Sequence, residues 1–482
     1  MLQRLSITLS AALLGSTLLT SVGFSARTPR PNIIVIFTDD QAFNAIGYHN
    51  PEVKTPHLDA LAAGGIIFQR AYVASPVCGA SRASMMTGLF PQQHGVICLN
   101  IKPFVRYTTD GSMASQSLAQ RLAAAGYRTV FFGKSHVADP LHYGFQEGSK
   151  HSGDEASFQR ATEILKAQKQ RRGEPLFLWI APFAPHVPLN PKQEHLDLYP
   201  PGSIRLPENY RVEPTSASLN NQGVPGKTLY RDSKYPALAK KAPLSAFGGY
   251  DIERSPTDYW PSLPSGPPRD KSAMLAFMRS YYAVLSNLDR QVGQFADRLR
   301  AAGLLENTVV FFLSDNGYHL GSHGLGNKIT MHEESVRVPM FAFGAGVKPG
   351  QKTAALVSSI DVYPTLLELA GAEPPPEAVM GKSLLPLLKD PAAPHRETVF
   401  SECVGAGGEA GQGHRMARSD RWKLILSDAD EEFLFDQHND PFELTNRRDD
   451  PKLTPVLDKL RGDLAAWMKA IGDRPYPVPR DP

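Results

Sequence analysis

Asn32-Ile33-Ile34-Val35-Ile36-Phe37-Thr38, followed at once by Asp39-Asp40, is the stretch that decides the fold. It is of strand length, and its almost unbroken apolar character is that of a strand buried on both faces of a sheet. The same texture returns at Tyr127–Phe132, Leu176–Phe183 and Thr308–Leu313. Between these runs lie helical patterns at Leu58–Ala63, Ser112–Ala125, Glu155–Gln170 and Ser272–Ala302. Strands alternating with helices predict an α/β fold, a large and mostly parallel sheet flanked by helices. Ala125-Gly126, Ala302-Gly303 and Ala370-Gly371 read as helix stops.

Outward from that core the texture changes twice. From Tyr199 to Asp270 the chain is rich in Pro, Gly and Ser without sustained periodicity, which reads as an irregular covering insertion. Beyond residue 390, Glu397–Cys403, His414–Arg418, Trp422–Leu426 and Glu432–Phe435 are short and strand-like, and Lys452–Ala470 is helical. These predict a main domain at 27–390 and a C-terminal subdomain at 391–482, a small antiparallel sheet with one packing helix. At the start, Arg4 precedes an apolar run from Leu5 to Phe24 and then Ser25-Ala26, the pattern of a signal peptide over 1–26 and hence of an exported protein, periplasmic or secreted. An uncleaved membrane anchor is the alternative. Nothing downstream reads as a membrane span.

Hydrophobic residues make up 42% of the 482 and charged residues 21%, so a large core can form and global disorder is excluded. The formal charge of +3 is spread along the chain, without the basic run that a nucleic-acid partner would call for. Of the three cysteines, Cys98 and Cys403 remain as a possible pair if Cys78 is consumed chemically.

Asp39 and Asp40 follow the first strand, and Asp315-Asn316-Gly317 follows the strand at Thr308. In open α/β sheets ligands bind beyond the carboxyl ends of strands. Adjacent carboxylates repel unless a cation lies between them, and oxygen-rich sets suit hard divalent ions. Alone, the Asp pair reads equally as solvated loop charge and Asp-Asn-Gly as a plain turn. If the two strands are neighbours, four oxygen ligands converge. Cys78-Gly79-Ala80-Ser81-Arg82 precedes a helix-compatible run ending at Thr87-Gly88. A cysteine at a helix N-terminus beside a fixed guanidinium has a lowered pKa and heightened reactivity; a buried structural cysteine is the other reading.

That pentapeptide with Thr87-Gly88 resembles the C-x-P-S-R…TG signature of the formylglycine-dependent sulfatases, members of the alkaline phosphatase superfamily. Pro31-Asn32-Ile33-Ile34 through Asp39-Asp40, Thr55-Pro56-His57-Leu58-Asp59, Gly133-Lys134-Ser135-His136, Pro185-His186, Ser314-Asp315-Asn316-Gly317 and Asn327-Lys328 resemble further blocks of that family in order. The likeness spans roughly residues 31 to 470. Pro185-His186-Val187-Pro188 and Tyr199-Pro200 look most like the iduronate 2-sulfatase branch. The usual proline of the signature is Ala80 here, a residue that some bacterial maturation systems for this family tolerate.

The resemblance implies an alkaline-phosphatase-like fold and a divalent metal, usually calcium, held by Asp39, Asp40, Asp315, Asn316 and the modified Cys78. It implies that a maturation enzyme oxidises Cys78 to formylglycine, whose hydrate attacks sulfur. The metal and Arg82 would activate it, the metal and Lys328 would neutralise charge on the sulfate oxygens, Lys134 would support the formylglycine and the sulfate, His186 would protonate the departing alcohol and His136 would take the proton that expels sulfate. The substrate would be a sulfated carbohydrate, glycosaminoglycans included. His319, His323 and His332 flank the metal block and read as pocket-lining or as internally bonded; Arg106 and His94 are similarly open. A phosphonate or phosphodiester hydrolase of the same superfamily and a non-catalytic binder of sulfated polysaccharide are the competing functions.

Overall fold

The computed structural model describes residues 30–96, 115–137, 139–150, 153–171, 173–211, 271–325, 327–404, 413–427 and 431–473. The strands of the larger sheet are, in chain order, β1 (Asn32–Thr38), β2 (Gly65–Tyr72), β3 (Arg128–Gly133), β4 (Glu147–Lys150), β5 (Leu176–Ala181), β6 (Thr308–Ser314), β7 (Arg337–Val338), β8 (Met340–Gly344) and β9 (Gln351–Ser358). They lie in the order β4-β3-β5-β1-β6-β8-β2-β7, with β9 pairing with β2. The first five of these are mutually parallel. β8 is antiparallel to both of its neighbours.

The alternation along β1 explains its composition. Ile33, Val35 and Phe37 enter one hydrophobic layer, while Ile34 and Ile36 enter the other. The first layer is covered by α2 (Cys78–Thr87), α3 (Leu118–Ala124) and α6 (Val362–Ala370), the second by α1 (Pro56–Ala63), α4 (Asp154–Gln168) and α5 (Lys271–Ala301). A side chain buried in either layer gains about 1.5–3 kcal/mol over exposure. α3 starts six residues later than its periodicity suggested. The Gln116 side chain donates to the Thr87 carbonyl (3.0 Å) and accepts from Glu377 N (3.0 Å), which ties that segment to its neighbours instead.

The C-terminal region forms the expected antiparallel sheet of β10 (Val399–Val404), β11 (Gly413–Arg418), β12 (Trp422–Ser427) and β13 (Glu432–Asp436), covered by α7 (Thr454–Ile471). Val399, Cys403, Met416, Ile425 and Phe435 join the same hydrophobic layer as β1, so the two sheets share a core. The predicted insertion is described only to residue 211. Its first residue, Tyr199, is buried against α5, with its hydroxyl 2.7 Å from Ser286 Oγ. Residues 1–29, with the expected signal peptide, lie outside the described residues, as do Cys98, Arg106 and residues 212–270. Whether Cys98 and Cys403 pair therefore falls outside them too. Among the described residues no helix is long and apolar enough to cross a membrane.

Candidate active site

β1 and β6 are adjacent, parallel and in register, Thr38 against Ser314. That register brings Asp39, Asp40, Asp315 and Asn316 to one corner beyond the strand ends. The corner is tightly built. Asp315 Oδ1 accepts from Asp40 N (3.1 Å), Asn316 Nδ2 donates to Asp40 Oδ1 (2.7 Å), and Gln41 N donates to Ser314 Oγ (3.0 Å). All four side chains are fully or almost fully buried.

Cations close the corner from three sides. Arg82, on α2, donates through Nε to Asp315 Oδ2 (2.8 Å), and its Nη2 lies 3.7 Å from Asp39 Oδ1. Lys134, just after β3, bonds to Asp39 Oδ2. Lys328 bonds to Asp40 Oδ1 and reaches Cys78 Sγ at 2.7 Å. His186, after β5, has Nε2 3.8 Å from Asp40 Oδ2. Burial alone would raise Asp39, but Lys134, His186, Arg82 and Lys328 hold its carboxyl well below the ordinary range. Burial pushes Asp315 up to about 7 even against Arg82, since Asp39 and Asp40 share the corner. Burial and then Lys134 lower His136 to about 3, so its imidazole is neutral; among the described residues its Nδ1 has no hydrogen-bond partner.

Cys78 opens α2, whose first turn has no side-chain cap, so backbone amides and the positive end of the helix face the corner. At the far end Gly88 adopts φ 70, and a Cβ there would come within 2.7 Å of Tyr363 and Val379; only glycine ends the helix at that point. The structure thus brings together Asp39, Asp40, Cys78, Arg82, Lys134, His186, Asp315, Asn316 and Lys328. His136 stands beside them, close enough for Lys134, Asp39, Arg82 and Lys328 to act on its charge. Ligand atoms of Asp39, Asp40, Cys78 and His186 lie within 4.8 Å of one another. Among the described residues, Asp39 Oδ1 and Asn316 Oδ1 are buried without a hydrogen-bond partner. Three carboxylates and an amide with two orphaned oxygens fit a hard divalent cation.

One matched block and the remaining candidate histidines bond within the scaffold. His57 Nδ1 lies 2.7 Å from Asp289 Oδ2, and Leu58 N donates to Asp289 Oδ1 (2.7 Å), so the Thr55–Asp59 segment docks α1 onto α5. His94 Nε2 meets Ser84 Oγ at 3.0 Å beneath α2. His319 and His332 meet through Thr330 Oγ1, at 2.8 and 3.1 Å. His323 faces Glu334 at 3.4 Å and Asn209 Nδ2 at 3.1 Å.

Beside them is a cluster that the sequence did not signal: Glu333 and Glu443 around Lys423 of β12, which lies 2.7 Å from Glu333 and 2.5 Å from Glu443, with Glu334 next to them against His323. Lys423, Arg418 and Arg337 supply the cations that these carboxylates need, and the cluster fastens the loop after β6 to the small sheet. Its pH response is predictable. Burial would lower His323, but Glu334 raises it on balance above 6.5. Burial would raise Glu334, but His323 holds it well below 4.5. His323's contribution is complete below about pH 6.5 and fades as pH climbs through the raised folded value; Glu334's is complete above about pH 4.5. Between pH 6.5 and 9 the stability advantage of the native chain over His323→Gln should shrink, by at most about 1.4 kcal/mol per pH unit in denaturant unfolding. A constant difference would contradict a charged His323.

Comparison with known proteins agrees with this geometry. Residues 31–372 match the family model described as Sulfatase, and residues 321–470 match one described as N-sulphoglucosamine sulphohydrolase, C-terminal. N-acetylglucosamine-6-O-sulfatase of Bacteroides thetaiotaomicron is 27% identical, covering 87% of this chain and 83% of that protein. Arylsulfatase A of Bos taurus is 31% identical, covering 80% and 72%. A structure solved in complex with its substrate D-glucosamine-2-N,6-O-disulfate superposes with TM-score 0.73 at 22% identity, over 92% of this chain and 98% of that one. Phosphonate monoester hydrolase from Silicibacter pomeroyi superposes with TM-score 0.69 at 23% identity, over 92% and 96%. At such identities the two structures speak for the fold alone.

Proposed function

This chain belongs to the sulfatase family, and from that premise we propose that it removes sulfate from a sulfated carbohydrate by means of a formylglycine made from Cys78. The observation that carries the proposal is the corner itself: Cys78 Sγ lies 2.7 Å from Lys328, whose ammonium also binds Asp40 at the paired strand ends.

Asp39, Asp40, Asp315 and Asn316 are the residues that would hold a calcium ion, with the modified Cys78 as a further ligand. Bound there, the ion would polarise the sulfate oxygens. Formylglycine, installed by a maturation enzyme, would supply a hydrated aldehyde with one hydroxyl to attack sulfur and a second through which sulfate leaves. The chain's own residues do the rest. Lys134 and Lys328 offer buried positive charge to an anionic ester. Arg82 is locked by Asp315 and by the Lys134 and Thr38 carbonyls (3.0 and 3.3 Å), which fixes its guanidinium where its charge acts on Cys78. His186 is the acid for the departing alcohol, and neutral His136 accepts the proton released as sulfate leaves.

The sulfated-sugar reading draws on the relative named for N-acetylglucosamine 6-O-sulfate and on the structural neighbour solved with a disulfated glucosamine. Export follows from the apolar leader at 5–24. Phosphonate hydrolysis is the second reading, favoured by the shared fold of the Silicibacter pomeroyi enzyme. Sulfate release from glucosamine 6-sulfate saccharides and from an aryl sulfate should exceed phosphate or phosphonate release from matched esters; the reverse order would select the second reading.

A further inference from the structure

Asp40 has φ 62, a left-handed conformation uncommon for any residue but glycine. Such a residue persists only where its surroundings over-determine it. One side chain does so from outside the sheet. The Tyr281 hydroxyl, from the middle of α5, donates to the Asp40 carbonyl and accepts from Ala42 N (3.1 Å), so it spans the turn that carries the carboxylate. Its ring is fully buried and lies 5.9 Å from the ring of Tyr318, two residues beyond Asn316. Tyr281 therefore touches both ligand-bearing loops.

We propose that Tyr281 is a positioning residue of the metal site: it holds Asp40 in its left-handed conformation and thereby sets the affinity of the corner for a divalent cation. This rests on the metal-binding reading above. A purely structural role would be to fill core volume, which Tyr281→Phe preserves.

The test is calorimetric titration of calcium into chelator-stripped full-length protein. Tyr281→Phe should weaken the calcium Kd by about tenfold or more, as the loss of outer-shell partners does elsewhere. Aryl sulfate turnover by the variant should then require more calcium for half-maximal kcat, with KM at saturating calcium little changed. Tyr282→Phe is the control. It removes a buried hydroxyl from the adjacent position, which hydrogen-bonds toward Asn50, and should leave the calcium Kd within about twofold. An unchanged Kd in Tyr281→Phe, or equal losses in both variants, would overturn the inference while leaving the metal reading intact. Absence of calcium binding by the native chain would overturn both.

Discussion

Replacing Cys78 by alanine should lower sulfate ester hydrolysis by about a millionfold, the scale of loss seen when a covalent nucleophile is deleted from a preorganised site. The variant should still fold. Cys78 is buried at the first position of α2 and donates no backbone pairing through its side chain, and alanine is a better helix former. Cys78→Ser separates nucleophile from mechanism. A serine hydroxyl can take up sulfate once, but the resulting ester has no second hydroxyl on the same carbon through which sulfate can leave. Rapid-quench kinetics should show at most one product equivalent per enzyme and then no turnover. Steady turnover by Cys78→Ser would mean that a geminal diol is not required.

Lys423→Met should be the most destabilising single change outside the catalytic corner, by about 3–5 kcal/mol in denaturant unfolding. Lys423 is fully buried and bridges Glu333 and Glu443. The two carboxylates respond differently. Burial would raise Glu333, but Lys423, Arg418 and Arg337 bring it down to about 2. Glu443 is raised by burial, which Lys423 only partly offsets, with Glu333 and Glu334 adding to the rise. Without Lys423, Glu443 is left as an uncompensated buried carboxylate. The double variant Lys423→Met, Glu443→Gln should recover a large part of the loss, because the amide keeps shape and hydrogen bonding without the charge. A single variant within about 1 kcal/mol of native would show that the cluster does not fasten the loop to the small sheet.

Much of this was legible in the sequence, for a physical reason. A strand covered on both faces must be apolar at every position, so Asn32–Thr38 and Thr308–Ser314 declared themselves as buried strands, and the carboxylates just beyond them declared a ligand end. The register that joins the two corners was an inference from parallel pairing, and the structure supplies it. What stayed hidden depends on contacts between distant segments. Tyr281 sits in an amphipathic helix where an aromatic residue reads as ordinary core, and only its partner 241 positions away gives it a task. Lys423 sits in a strand and meets Glu333 only through the fold. The antiparallel β8 also escaped, since five residues of apolar strand carry no mark of direction. Thr55–Asp59, matched as a family block, proved to dock a helix.

Conversion of Cys78 to an aldehyde that serves as the nucleophile at the carboxylate corner is open to a direct test, peptide mass spectrometry across Cys78 on protein from the native host or from a host with a matching maturation system. The expected peptide is about 18 Da lighter than the thiol form, or is its hydrate, because oxygen replaces sulfur and two hydrogens are lost. A peptide carrying an intact thiol throughout, in protein that hydrolyses sulfate esters, would contradict it.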